Sequence, residues 1–123
     1  MSRLLKFTAI IEAATGLGLI AVPAIVVRLL LGAEISGASI PLGRVAGAAL
    51  LALGIACWLA RDDTQSRAAR GLVVPMLMYN IPAAAVLAFA GIGWGLHGVA
   101  LWPAVVLHAA MAVWCGVCLR RSS

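Results

Sequence analysis

Charge is what this sequence lacks most. Of its 123 residues only 4 are acidic and 9 are lysine or arginine, so charged side chains make up 11% of the chain. Soluble domains carry about 25%. Hydrophobic residues make up 64%. A soluble chain this short has much surface for its volume and must cover it with polar groups. These residues cannot do so, and a lipid solvent removes the conflict. Aromatics are also few, at 6%, and they are not interleaved with basic residues as a nucleic-acid stacking platform requires. The net charge of +5 therefore does not point to nucleic acid. The three cysteines, Cys57, Cys115 and Cys118, lie inside or at the ends of apolar runs. An odd count with no loop cysteine argues against a disulfide framework.

What the sequence has instead is four long apolar runs, at 7–31, 40–60, 71–90 and 98–119. About 20 residues rising about 1.5 Å each cross a hydrocarbon core of about 30 Å. Alternating segments of about 10 residues, the mark of a transmembrane β-barrel, do not occur. The expected fold class is all-α: a four-helix transmembrane bundle forming one membrane domain over 1–123. The start of the chain has some features of a signal peptide, with Arg3 and Lys6 ahead of the first run and Val22-Pro23-Ala24 as a cleavage site. The apolar run continues past that site to Leu31, and Glu12 interrupts what would be the apolar core of a signal, so a retained span is expected. Pro23 and Pro82 fall inside spans and are expected to kink them. Pro41 and Pro103 fall near helix starts, where a missing N–H costs little.

Basic residues give the orientation. Arg3 and Lys6 precede the first span, Arg61, Arg67 and Arg70 separate the second from the third, and Arg120 and Arg121 follow the fourth. That bias places Ser2, the 61–70 loop and Ser123, hence both termini, in the cytoplasm, with His97 outside. The expected location is a bacterial inner (cytoplasmic) membrane, crossed several times. Trp58 and Trp114 fall near the inner interface, and Trp94 and Trp102 near the outer one.

The residues that lipid should reject carry the functional information. Glu12 is in the first span, Arg44 in the second, Tyr79 and Asn80 in the third and His108 in the fourth. A charge at mid-bilayer costs about 2.5–3.5 kcal/mol on insertion scales, so such residues turn inward and find partners. Counting from the cytoplasmic edge, Glu12 lies about 8–9 Å deep, Asn80 and His108 both about 15 Å, and Arg44 about 24 Å. Asn80 and His108 should meet directly, with Glu12 within reach of a side chain and a water, Tyr79 nearby and Arg44 above. The plainer reading is that these groups glue the helices together and that Arg44 snorkels to the outer interface. Glu12 and His108 are the pair able to change protonation near neutral pH.

Three weaker motifs point nowhere specific. Cys115-Gly116-Val117-Cys118 is a CxxC at a helix C-terminus, where the dipole disfavours a thiolate, so the cysteines read as dispensable packing residues. No metal site is expected. Gly93-Trp94-Gly95-Leu96-His97-Gly98 fits GxGxxG but follows no strand and lies in a loop. Gly43 and Gly47 form a GxxxG that permits close helix packing. His108 is the only membrane-embedded histidine, which disfavours a bis-histidine haem within one chain.

Ile11-Glu12-Ala13-Ala14-Thr15-Gly16-Leu17-Gly18, Gly43-Arg44-Val45-Ala46-Gly47 and Trp58-Leu59-Ala60-Arg61 together resemble the DoxX-like group of small four-span bacterial membrane proteins. The resemblance covers the whole chain in layout, through short apolar motifs. It implies a link to quinones or redox-linked membrane complexes. Ala9-Ile10-Ile11-Glu12 also looks like the first-span signature of the small multidrug resistance family. The chain departs from that family in its strong charge bias and in lacking an aromatic-rich substrate face. The function expected is a small integral membrane protein with a mid-depth polar pocket, binding a quinone or a lipid or serving as accessory subunit of a larger complex. The partners expected are the bilayer and further membrane chains, including copies of itself. A proton-coupled transporter using Glu12 and a purely structural helical subunit are the alternatives. A binding or structural role is expected ahead of an enzymatic one.

Overall fold

In lipid, backbone N–H and C=O groups find no water, so each crossing segment must bond within itself as a helix. The structure, a computed structural model that describes residues 1–121, follows this rule. Its helices are α1 (Ser2–Ala21), α2 (Pro23–Leu31), α3 (Ser39–Ala60), α4 (Arg67–Ile92) and α5 (Leu101–Arg121). Four of them, α1, α3, α4 and α5, are long and apolar enough to cross a membrane. The protein is a multi-pass membrane protein with an all-α four-helix bundle. The helices overrun the apolar runs by a few residues at several ends; α1, for example, begins at Ser2 and not at Phe7. Ser123, expected in the cytoplasm, lies outside the described residues.

The first apolar run departs most from its expected form. One kinked helix was expected over 7–31; instead the helix ends at Ala21 and a second begins at Pro23. Between them Val22 is extended, with φ −137° and ψ 59°. Proline explains the break, because it supplies no N–H to the preceding turn and pushes the residue before it out of helical geometry. At about 1.5 Å per residue, α1 is already long enough to cross, so α2 is a surplus segment free to pack elsewhere. Pro75 and Pro82, by contrast, both sit inside a continuous α4.

The long helices associate as two antiparallel pairs. α1 packs along α3, and α4 along α5, while the pairs touch each other only lightly. The α1–α3 seam is close because glycines form it. A Cβ on Gly16 would come within 2.6 Å of the Gly47 carbonyl and the Leu51 nitrogen, which small-residue packing in membranes avoids. At the lower end, which carries Met1 and the 61–66 link, side chains of all four long helices fill the space between the pairs. Leu4, Leu5, Cys57, Val73, Met76, Met111, Cys115 and Cys118 form this buried floor. The Cys57 thiol lies 3.6 Å from the Met76 sulfur.

The lower link is ordered by short polar contacts. Ser66 caps α4 by accepting the Ala69 N–H at 3.0 Å, satisfying one orphan donor of the first turn. Arg61 donates to the Trp58 carbonyl, lies 4.2 Å from the Trp58 ring and pairs with Asp62, which also meets Lys6. At the upper end α2 docks on the α4–α5 link. The Ala100 N–H donates to the Leu29 carbonyl at 2.9 Å. Gly98 sits against the backbone of Leu29 and Leu30 with no room for a Cβ. Around the outside, Ile10, Leu42, Leu59, Met78 and Val106 are exposed. So continuous an apolar surface is normal in lipid and abnormal in water.

Candidate functional site

Between the filled floor and the α2 seam the two helix pairs stand apart. The gap is a cavity of about 840 Å³, at the upper end of the range for small-molecule sites. Helical periodicity places its walls: Ala46, Ala49, Leu50 and Leu53 form one stripe on α3, and Pro75, Tyr79, Ala83 and Val86 another on α4. The alanines leave the volume that larger side chains would fill. Val26, Val27 and Leu30 of α2 close the top, and Leu53, Pro75 and Leu107 line the bottom, one turn or less from floor residues Cys57, Met76 and Met111. Roofed and floored, the cavity is not fully enclosed.

The polar side chains in the lining are Glu12, Thr15, Tyr79 and His108. α1 presents Glu12 and, one turn on, Thr15; α4 and α5 present the two rings. The His108 and Tyr79 rings meet edge to face, with centroids 5.5 Å apart and planes at 87°. Asn80 lies behind them, buried at the α4–α5 seam. Its amide nitrogen donates to the Met76 carbonyl at 2.8 Å, and its carbonyl oxygen lies 2.8 Å from His108 Nδ1. Asn80 and His108, expected at equal depth, thus meet directly.

Glu12 is 3% exposed, in electrostatic range of Tyr79 and Cys57. Its carboxyl group has no hydrogen-bond or ion-pair partner among the described residues, and neither has the Tyr79 hydroxyl or His108 Nε2. Thr8 Oγ1, one turn below Glu12, is the only fully enclosed side-chain polar atom without a partner among the described residues. The free atoms of Glu12, Tyr79 and His108 are thus not fully enclosed, and all three residues line the cavity. Arg44 is not brought to this cluster. It is exposed on α3 and absent from the lining, in keeping with a side chain that snorkels to the interface.

The sequence reading missed three contributors. Pro75, Thr15 and the α2 segment all line the cavity. Pro75 and Thr15 had a signal, since each lies at i±3 or i±4 from a residue already singled out, Tyr79 or Glu12. The α2 segment had none while the first run read as a single helix. All three cysteines are buried in the floor, below the cavity. No group of three or more potential metal-ligating residues occurs among the described residues. No family model matches this chain, no curated protein matches it, and no solved structure matches it.

Proposed function

We propose that this chain is a small bacterial inner-membrane protein, DoxX-like in layout, that takes a lipophilic ligand from the bilayer into the cavity between its helix pairs. A quinone or a lipid fits that chemistry, whether the chain acts alone, as an oligomer or as accessory subunit of a larger membrane complex. One observation carries the reading: a large, partly open cavity with apolar walls and four polar side chains among them, the usual composition of a small-molecule site. A purely structural subunit would bury its polar groups in pairs. Glu12 and Tyr79, unpartnered among the described residues, favour the ligand reading over that one.

Extraction into polymer-bounded native discs, followed by native mass spectrometry, tests the proposal. A bound lipophile beyond the bulk lipids is expected on the wild type and lost from Ala104→Phe, which fills the cavity. Identical bound species on both would overturn it. The lone Glu12 carboxyl also favours a second reading, proton-coupled transport. Proton flux in liposomes that Glu12→Gln abolishes would promote that reading. In either case the termini and the 61–70 loop face the cytoplasm. Cysteine placed at His97 should then react with an impermeant thiol reagent in intact cells, and reaction only after lysis would reverse the orientation.

A further inference from the structure

We infer that the cavity selects lipophiles whose head group donates a hydrogen bond, phenols and alcohols, over those whose heads only accept. The inference rests on the ligand-binding reading above and deepens it. Asn80 Nδ2 faces a carbonyl oxygen, that of Met76, and only an N–H can be satisfied there. This fixes the amide, leaving Oδ1, an acceptor, toward His108 Nδ1 at 2.8 Å. Two acceptors do not bond, so Nδ1 carries the proton. In the neutral ring Nε2 is then bare, and its lone pair is free among the described residues at the cavity wall.

As a carboxylate Glu12 only accepts and adds to the same bias; as a carboxylic acid it both donates and accepts, and then adapts to either partner as the Tyr79 and Thr15 hydroxyls do. The one fixed group, Nε2, thus asks for a donor, and an accepting head would face it with lone pair against lone pair in an apolar space, where an unmet acceptor is costly. The cavity continues upward from these groups between alanine and leucine walls to the α2 roof. A ligand with its hydroxyl at the His108 level and its apolar body above it meets every surface with its own kind.

The test uses wild-type protein in phosphatidylcholine nanodiscs, whose lipid head has no donor, under reducing conditions. A prenylated hydroquinone, its dimethyl ether and its quinone share one skeleton and differ in head-group donors. A diacylglycerol and its O-acetyl ester form a second matched pair. Native mass spectrometry should show about tenfold better retention of a donor member in at least one set. The set that shows it names the source, phenol or lipid alcohol. Asn80→Leu, which frees the ring to carry its proton on either nitrogen, should shrink the preference toward parity while the apolar body still binds. Nitrogen NMR of the His108 ring should show a proton on Nδ1 and none on Nε2, a readout that needs neither ligand nor variant. Equal or better binding of ether, ester or quinone would overturn the inference and leave the cavity reading standing, as would a proton on Nε2. Binding of none would end both.

Discussion

The same four helices build two unlike levels. At the lower level Leu4, Leu5, Met76 and Met111 meet across the bundle axis and leave no exposed atoms or nearly none. At the upper level Ala46, Ala49, Ala83 and Ala104 face one another across open space. Neither level has a hydrophobic driving force, since lipid is as apolar as leucine; helices associate by packing and hydrogen bonds. The floor can therefore hold the pairs together only by contact density. The hollow level survives because the floor below and the α2 seam above set the separation. A bundle stabilised in this way can keep a cavity that would collapse if it had to hold the fold by itself.

The contrast can be broken most severely at the α1–α3 seam, which supports both levels. Gly16→Leu forces side-chain atoms onto the Gly47 and Leu51 backbone, and a loss of about 3 kcal/mol or more is expected. Unfolding by SDS in mixed micelles reads it, and near-wild-type stability would mean the seam is looser than described. The next test compares the levels directly. Met76→Ala opens a void in the floor and should cost about 2–5 kcal/mol, whereas Leu87→Ala widens a space already present and should cost about 1 kcal/mol or less. Equal losses would erase the distinction. Replacing Cys57, Cys115 and Cys118 together by alanine should cost about 1–3 kcal/mol and leave bound lipophile unchanged, because the thiols lie beneath the cavity. Loss of a bound metal would instead reveal a thiol site. The smallest effect on stability is expected for Glu12→Gln, about 0.5 kcal/mol, with ligand retention or proton flux falling while the fold persists. Glu12→Ala and His108→Ala should couple by about 0.5 kcal/mol or more in a double-mutant cycle. Strict additivity would separate them into unrelated sites.

How much of this was legible beforehand differs between the levels too. Four spans follow from four apolar runs, and the meeting of Asn80 with His108 follows from helical rise, because two helices joined by a short link share a depth scale. The break at Val22 did not follow. Proline in a long apolar run is compatible with a kink or a stop, and only the packing of α2 on the α4–α5 link decides. Facing was illegible as well. Small residues flank Arg44 (Gly47 and Ala48) as they flank His108 (Ala104 and Ala112), so small neighbours could not show that one is exposed and the other lines a cavity. The hollow itself leaves no periodic signal, since an alanine stripe reads alike whether it permits close approach or borders a void.

The 61–66 link divides more than two hairpins. Glu12, Thr15 and the α2 roof precede it, while Tyr79, His108 and the Asn80 that orients it follow it. If the chain were severed there, each fragment would keep two long helices and a seam of its own. Each would also carry half of a binding site and no complete wall around it. The site is the product of joining the halves, and its occupancy would report that they had found each other.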